Sequence, residues 1–422
     1  MKRRTFLKTA LATATAPIVA ATPPQPVIGN PRERFATAVR PGGIGASDTL
    51  RLGILGAGSR GQYLMQQFLR IPDVRIEGIC DVYAPRFAEA RAITGTATPV
   101  YDDYRRLLDR STDFDALVVA TPLGHHAEHA VSALNAGCHL FLEKSLALNV
   151  EGCQAIMAAA GRSDRVFQIG TQYRYAGWYA EAVRRIRAGA IGDVTHIYAY
   201  WHRNYNWRRP VPDPSLERLI NWRLYRELSG GLLAELGSHH IDTANWIFGA
   251  MPEKVIGNGG IAFYPDGRET FDHLQTIYRY PGNRTLFFSS IIGNQRTGFQ
   301  IQVFGTAGSI ELTLEDGTMY YEPARADSAV PEEIRLREAT PSLSTRGDMP
   351  YRGPGEPILV EPEEEGDPGL RACAAFTQVI RAGMAQEAGI DVAWQSGIAV
   401  ACGIEAVRSG EPVVIADRLD RG

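Results

Sequence analysis

The sequence predicts an α/β protein with two domains: a doubly wound parallel sheet, followed by an α+β domain with a mostly antiparallel, open sheet. The first domain is predicted because short apolar runs alternate with helical segments over residues 49–172, and a glycine-rich turn joins the first run to the first helix. The second, residues 173–422, is predicted by β-rich segments separated by turn residues. A length of 422 residues fits two domains and additional segments.

The composition excludes several classes of function. The 44 basic and 47 acidic side chains give a formal net charge of -3, which favours neither nucleic acid nor an anionic membrane surface as a partner. The five cysteines are scattered and show no CxxC pair, so neither a disulfide framework nor a zinc site is expected. We therefore expect buried thiols, no metal, and a small-molecule substrate.

The N-terminus has the pattern of an export signal. Arg3-Arg4 lies in a basic start that ends at Lys8, and a weakly apolar stretch, too short to span a membrane, continues to Ala21. This pattern resembles the twin-arginine signal, so residues 1–21 are expected to be a signal peptide and the protein to be periplasmic or secreted. Residues 22–48 are rich in Pro, Gly and Ala, which fits either a disordered tether or an arm that wraps a neighbouring subunit.

A dinucleotide site is predicted at the first strand-to-helix turn. The apolar run Leu52–Leu55 leads directly into the sequence GAGSRG at residues 56–61, and a helix follows. Gly56 is expected to make the tight turn, Gly58 to let the backbone approach a pyrophosphate, and Gly61 to let the helix pack on the strand. The pyrophosphate is then expected at the positive N-terminus of the helix, so the turn predicts a Rossmann domain.

The second predicted strand, Val74–Cys80, ends in Asp81, where an acidic side chain binds the adenosine ribose hydroxyls. Because a carboxylate repels a 2′-phosphate, NAD is favoured over NADP, although Arg86 weakens that preference. Later strands also end in polar residues, and the carboxyl ends of parallel strands meet at one edge of a sheet. The predicted cofactor-binding residues are Gly56, Gly58, Ser59, Arg60, Gly61, Asp81, Thr121, Pro122, His126, Glu143 and Lys144.

Several motifs, taken in their order and spacing, point to one known family. They are GAGSRG at 56–61, Ala120-Thr121-Pro122 with His125-His126, Glu143-Lys144-Ser145, the segment 230–242, and the segment 304–311. Together they resemble the Gfo/Idh/MocA family of glucose–fructose oxidoreductase and inositol dehydrogenase, from about Leu50 to the C-terminus. The resemblance implies a homo-oligomer, dimer or tetramer, because the open face of the second sheet often mediates assembly in that family.

The resemblance also implies catalytic roles. The lysine of the family's Glu-Lys-Pro motif contacts nicotinamide and substrate, which maps onto Lys144, with Ser145 in place of the usual proline. The family's aspartate and histidine on one helix map onto Glu235 and His239, so glutamate replaces aspartate. Lys144, His239 and Glu235 are therefore the catalytic candidates.

These residue types suit oxidation of an alcohol. A histidine accepts the hydroxyl proton near neutral pH, and a nearby lysine stabilises the developing alkoxide. On a helix predicted from Leu232 to Phe248, Glu235, His239 and Asp242 form one stripe, which predicts a carboxylate beside His239 that fixes its tautomer. The same stripe fits a solvated helix face or a structural ion pair.

Two segments rich in aromatic and polar residues, 172–175 and 200–209, are candidate walls of a substrate site. Aromatic faces stack on the C–H surfaces of sugars, and Arg and Asn bind vicinal hydroxyls. The second segment equally fits an aromatic packing corner between the domains. The predicted substrate-binding residues are Tyr173, Arg174, Trp201, His202, Arg203, Asn204 and Asp242.

The rest of the second domain is predicted in outline. Its predicted strands are Val194–Trp201, Lys254–Phe263, Leu274–Tyr280, Thr285–Ile292, Phe299–Phe304 and Ser309–Thr313. Tyr321 to Gly369 is rich in Pro, Glu and Gly and predicts a long surface excursion. The closing helices, Leu370–Arg381 and Val392–Ser409, are candidates to pack back on the first domain.

The sequence thus predicts an exported NAD-dependent oxidoreductase that acts on a CH–OH group of a sugar, glycoside or polyol. Because the periplasm offers no pool of free NAD, the cofactor is expected to stay bound and to be recycled on the enzyme. Two alternatives remain open: a redox-neutral glycoside hydrolase or lyase that oxidises the sugar transiently, and a non-catalytic binding protein that carries the cofactor.

Overall fold

The structure is a computed structural model, and it describes residues 49–322, 355–361 and 366–419. The predicted signal peptide and linker, and most of the predicted excursion from Tyr321 to Gly369, lie outside the described residues.

The first sheet has six parallel strands in the order β3-β2-β1-β4-β5-β6. They are β1 (Leu50–Leu55), β2 (Val74–Cys80), β3 (Val100–Tyr101), β4 (Ala116–Val119), β5 (His139–Leu142) and β6 (Phe167–Ile169). The chain runs outward from β1 to β3 and then crosses to β4 on the other side of β1. This confirms the doubly wound sheet, and its switch point, where such folds bind ligands, lies between β1 and β4.

Helices cover both faces of this sheet, which explains why its strands are nearly continuous apolar runs. They are α1 (Ser59–Leu69), α2 (Arg86–Thr94), α3 (Tyr104–Leu108), α4 (His126–Asn135) and α5 (Val150–Gly161). Two of them begin at side-chain caps: Asp103 accepts a hydrogen bond from the backbone of Arg105 at 2.8 Å, and Asn149 accepts one from Gly152 at 2.9 Å.

Within the described residues, the second sheet has nine strands in the order β14-β13-β12-β11-β7-β10-β9-β8-β15. They are β7 (Val194–His202), β8 (Lys254–Gly260), β9 (His273–Tyr280), β10 (Arg284–Ile291), β11 (Phe299–Gly305), β12 (Gly308–Leu312), β13 (Gly317–Tyr321), β14 (Glu356–Pro357) and β15 (Val413–Val414). All neighbours pair antiparallel except β7 with β10, so the predicted mostly antiparallel sheet is confirmed.

Some of the later helices pack on the second sheet, and others lie beside the cavity or return to the first domain. They are α6 (Gly177–Arg187), α7 (Glu217–Ile220), α8 (Ser238–Phe248), α9 (Pro368–Ala382), α10 (Ile390–Ser409) and α11 (Ala416–Leu419). In α9, the ring of Phe376 packs edge-on against Phe141 and Phe68 of the first domain, at 5.6 and 6.2 Å between centroids. Helix α10 is long and apolar enough to cross a membrane, but 67% of its apolar window is buried inside the protein, as in a core helix.

Candidate active site

The glycine turn after β1 leaves space at one position only. A Cβ at Gly56, whose φ is +98°, would lie 2.6 Å from the carbonyl oxygen of Ala120, and a Cβ at Gly61 would overlap the carbonyl oxygen of Gly56. At Gly58 the nearest atoms to such a Cβ belong to the guanidinium of Arg86, at 3.6 Å or more. Gly56 and Gly61 therefore serve the packing of the turn, and Gly58 opens a cradle at the N-terminus of α1.

This cradle faces a cavity of about 480 Å³, a size typical of ligand sites. The cavity lies at the carboxyl ends of β1, β2 and β4, where ligands bind in this fold. Residues of the first domain that line it include Gly56, Gly58, Ser59, Arg60, Asp81, Arg86, Thr121 and Pro122. The second domain contributes Arg209, Arg218, Leu219, Trp222, Arg223 and Leu228.

Asp81 lies at the end of β2, as the sequence predicts, and its carboxylate is held in place. It accepts hydrogen bonds from the backbone N–H of Ala57 and of Tyr83, both at 2.8 Å. Arg86 adds an ion pair at 3.1 Å from one carboxylate oxygen. The donor set at this end of the cavity fits a nucleotide, with the glycine cradle for the diphosphate and Asp81 for the ribose hydroxyls.

Arg60 and Glu143, both predicted to bind the cofactor, bind each other. Arg60 Nε lies 2.7 Å from Glu143 Oε1, and Arg60 Nη2 donates to the side-chain oxygen of Gln172 at 2.8 Å. The pair joins the glycine turn to the end of β5. Glu143 therefore braces the strand end that carries Lys144.

His126 joins two strand-end loops through hydrogen bonds to their backbone carbonyls. Its ring is 1% exposed, with Nδ1 2.7 Å from the carbonyl oxygen of Ser145 and Nε2 3.0 Å from that of Thr121. Such a buried ring holds the two loops in register. The Lys144–Ser145 peptide between β5 and α5 is cis.

Lys144 connects the first domain to the second. Its Nζ donates to the carbonyl oxygens of Glu235, at 2.8 Å, and Ala234, at 3.3 Å. Both carbonyls belong to a wide, π-helical turn, Leu233–Gly237, that leads into α8. Burial lowers the pKa of Lys144, and the carboxylates of Glu235 and Glu143 oppose that shift.

His239 lies in the first turn of α8, four residues beyond the carbonyl that binds Lys144. Its ring stacks on Tyr173 at 4.4 Å between centroids, and Trp201 lies 6.0 Å away. Burial, reinforced by the charge of Lys144, holds the pKa of His239 well below its usual value. The imidazole is therefore neutral at neutral pH, which is the form that accepts a proton.

The predicted carboxylate beside His239 is absent, because both acidic residues of the stripe pair elsewhere. Glu235 Oε2 lies 2.8 Å from Arg223 Nε, and Asp242 forms a two-point ion pair with Arg174 at 2.8 and 3.0 Å. Within the described residues, His239 Nδ1 is buried without a hydrogen-bond partner. The expectation assumed α-helical spacing from Leu232 onward, whereas the wide turn changes the angle between Glu235 and His239.

The end of β7 divides the predicted substrate wall between two faces of the sheet. Trp201 points toward His239, whereas His202 points to the opposite face, where its Nε2 lies 3.0 Å from the hydroxyl of Ser289. Arg203 is half-buried and lies over the ring of Tyr205 at 5.7 Å. Asn204 is exposed and makes a backbone bridge to Gly293.

Arg174 and Asp242 were expected to bind substrate, but the structure buries them as partners of one another. Their side chains are 8% and 3% exposed. Tyr173, by contrast, lines the same cluster as His239 and Trp201. The structure therefore brings together Lys144, His239, Tyr173 and Trp201, and it assigns Arg174 and Asp242 to support of α8.

Sequence reasoning missed the segment that covers the cavity from the second domain. Arg218, Trp222 and Arg223 come from a segment without hydrophobic periodicity, so the short helix α7 was not predicted there, whereas Arg209 ends the predicted wall 200–209. Arg223 stacks on Trp222, at 4.2 Å from the ring centroid. The density of Trp and Arg just before Gly230-Gly231 was the signal that could have found them.

Family models match both domains. Residues 50–171 match a model described as an oxidoreductase family with an NAD-binding Rossmann fold, and residues 179–311 match the GFO/IDH/MocA C-terminal domain. The two matched ranges together make up more than half of the chain.

Among curated relatives, the uncharacterized oxidoreductase YrbE of Bacillus subtilis is 26% identical over 326 residues, which cover 71% of this chain and 88% of YrbE. A Glycosyl hydrolase family 109 protein of Shewanella sp. is 31% identical over 186 residues, or 42% of this chain and 40% of that protein. The second match therefore spans less than half of the relative's length.

Two solved structures show the same fold. Levoglucosan dehydrogenase in complex with NADH and levoglucosan has a TM-score of 0.70 at 19% identity, covering 87% of this chain and 100% of that one. The aldose-aldose oxidoreductase of Caulobacter crescentus, complexed with glycerol, has a TM-score of 0.68 at 20% identity, covering 87% and 99%. Matches at this identity bear on the fold alone.

Proposed function

Because the chain belongs to the Gfo/Idh/MocA family of oxidoreductases, whose first domain binds NAD, we propose that it oxidises a CH–OH group of a sugar, glycoside or polyol. The observation that carries the proposal is the meeting of Lys144, from the end of β5, with the turn that leads to His239. The sugars named with the solved relatives, levoglucosan and L-sorbose, support a carbohydrate substrate.

The chain's own residues divide the chemistry between them. His239, neutral at neutral pH, accepts the proton of the reacting hydroxyl, and Lys144 donates a hydrogen bond to the alkoxide that develops. Bound NAD would take the hydride from the same carbon, so that C–H and O–H bonds break and a carbonyl forms. Trp201, which is half-buried near His239, offers an aromatic surface to the sugar ring, and the buried ring of Tyr173 stacks on the imidazole and fixes its orientation.

The proposal includes export with the cofactor retained. The N-terminal sequence supports export, and the cavity supports retention because both domains line it. The segment that carries Trp222 and Arg223 is tied back to the first domain, since Gly124 N–H donates to the carbonyl oxygen of Leu228 at 3.0 Å. The retained cofactor would be reoxidised in place, either by a second sugar or by the oxidised substrate after it has been altered.

A second candidate is a redox-neutral glycoside hydrolase or lyase, which the Glycosyl hydrolase family 109 relatives favour. In this reaction the oxidised carbonyl acidifies the neighbouring C–H bond, which eases loss of the glycosidic substituent. Water then adds for the hydrolase, and the ketone is reduced again, so that NAD is regenerated. The same base and lysine would serve both reactions.

One product assay separates the candidates. The full-length chain is incubated without added NAD with free aldoses, alone and in pairs, and with aryl glycosides. Oxidised and reduced sugars in equal amounts support the dehydrogenase–reductase, and release of the aglycone without net oxidation supports the hydrolase or lyase. A protein that retains nicotinamide, yet yields neither product nor a spectral change with any sugar, is a binding protein and refutes the proposal.

A further inference from the structure

The half-buried guanidinium of Arg203 lies beside Trp201 and has no role in the reaction proposed above. Arg203 follows β7 by one residue, and its backbone N–H donates to the carbonyl oxygen of Ile291 at 2.8 Å, which continues the pairing of β7 with β10. Side chains two residues apart on a strand point to the same face and lie roughly 6.6 Å apart. Arg203 therefore extends from the face that carries Trp201, and Trp201 lies 6.0 Å from His239.

The charges at this site do not balance. Glu143 pairs with Arg60, and Glu235 pairs with Arg223. Within the described part of the chain, Arg203 has no carboxylate partner, and its guanidinium only lies over the ring of Tyr205, which is 55% exposed. Because both nearby carboxylates already have arginine partners, Arg203 adds a positive charge that nothing in the described chain neutralises.

A half-buried arginine without a counter-ion is costly. Burial lowers the pKa of Arg203; the hydroxyl of Tyr205 opposes that shift, and the neighbouring Arg223 adds to it. Guanidinium groups in such positions usually pair with a carboxylate or phosphate, whose planar or tetrahedral oxygens match their donors. The missing partner is therefore an anion that arrives with a ligand.

We infer that Arg203 binds an anionic substituent of the substrate, so that the preferred substrate is a sugar carrying a carboxylate, phosphate or sulfate group. The inference rests on the proposed function, because it places the reacting carbinol beside His239. The charge of Lys144 stabilises the alkoxide that forms in the transition state. The charge of Arg203 pairs with the anionic substituent, which is ionised throughout the reaction. The preceding residue, His202, points to the other face of the sheet and takes no part in binding the anion.

Equilibrium binding in the presence of the reduced cofactor tests this inference, because NADH cannot accept a hydride from the sugar. The full-length chain, saturated with NADH, is titrated with glucose, glucuronate, glucose 6-phosphate and glucose 6-sulfate, and binding is followed by tryptophan fluorescence and by the shift in Tm. We expect at least one anionic sugar to bind about tenfold or more tighter than glucose, as a charged hydrogen bond implies. Added salt is expected to weaken binding of that anionic sugar and to leave binding of glucose unchanged.

Two variants supply the matched comparison. Arg203→Ala is expected to weaken binding of the anionic sugar at least about tenfold more than it weakens binding of glucose, so that the preference for the anion is lost. Arg279→Ala removes an exposed arginine at the opposite end of the same sheet and is expected to keep the preference.

Equal binding of charged and neutral sugars by the unaltered chain, no binding by any anionic probe, or an equal loss for both sugar types in Arg203→Ala would overturn the inference. Turnover of neutral sugars without an anion preference would overturn it and leave the proposed function intact. Preferred binding of an anionic sugar without any spectral change of the nicotinamide would support the role of Arg203 and contradict the proposed function.

Discussion

Replacement of Gly58 by alanine is expected to separate cofactor binding from folding. Gly58 has φ of -71° and ψ of -175°, a conformation that alanine adopts without strain. The added methyl group would lie 3.6 Å from its nearest neighbour, the guanidinium of Arg86, so it enters free space. That space is the cradle in which the diphosphate approaches the backbone.

The magnitudes follow from this geometry. Gly58 caps α1 without a side-chain hydrogen bond, so alanine there costs the fold about 0.5 kcal/mol and lowers Tm by roughly 2 °C or less. If the methyl keeps the diphosphate from two backbone N–H groups, each worth about 1.5–3 kcal/mol to a charged acceptor, the binding free energy falls by about 3–6 kcal/mol. The affinity for NADH then falls by a factor of about 10² to 10⁴.

The assay combines NADH fluorescence titration of cofactor-free protein with thermal unfolding followed by circular dichroism. Gly61→Ala is the contrasting variant, because a Cβ there overlaps the carbonyl oxygen of Gly56, and it is expected to destabilise the turn itself. An unchanged affinity for NADH in Gly58→Ala would refute the placement of the diphosphate.

Three further predictions concern chemistry and stability. Lys144→Met and His239→Gln are each expected to slow hydride transfer by a factor of about 10² to 10⁴ in single-turnover absorbance measurements, a far larger effect than on NADH affinity; a loss of affinity as large as the loss of rate would contradict the assigned roles. Asp242→Asn leaves the buried guanidinium of Arg174 without a counter-charge and is expected to lower the free energy of unfolding by about 3–5 kcal/mol in urea titrations, whereas a loss below about 1 kcal/mol would refute a structural ion pair. Acid is expected to destabilise the fold through three buried histidines whose pKa burial lowers to about 4: His129, His139 and His240. Because the unfolded chain binds their protons first, stability is full above pH of about 6.5 and is lost as the pH falls toward 4, by up to roughly 3 kcal/mol for each histidine; urea titrations that give constant stability over this range would contradict it.

The sequence could predict those parts of the site that lie directly after the ends of strands. The glycine turn, Asp81 and Lys144 each come directly after an apolar run, and the carboxyl ends of parallel strands must meet at one edge. Alternating strands and helices likewise predicted the doubly wound sheet, because only a parallel sheet buries such runs on both faces.

Other parts depend on geometry that the pattern does not encode. The helical stripe of Glu235, His239 and Asp242 assumed a regular 3.6-residue repeat, and a single wide turn was enough to give both acidic residues arginine partners. The predicted strand ended at Trp201, whereas β7 continues through His202, whose side chain must then point to the opposite face.

The loop that supplies Trp222 and Arg223 lacked any periodic signal, and its partners come from distant parts of the chain. The side chain of Arg223 is held by its ion pair with Glu235. The backbone of Leu228 is held by a hydrogen bond from Gly124 of the first domain. Such long-range pairs arise only once both domains are folded, so local sequence could not assign them to the cavity.

The central claim is that a nicotinamide bound at the glycine turn shares one site with Lys144 and His239. The most direct measurement is the absorbance of the purified full-length protein in the NADH band while single sugars are added, compared with the His239→Gln variant. At least one sugar is expected to change the absorbance of the bound cofactor, and the variant is expected to make this change at least a hundredfold slower. A bound nicotinamide that no sugar alters, or one that responds equally fast in the variant, would contradict it.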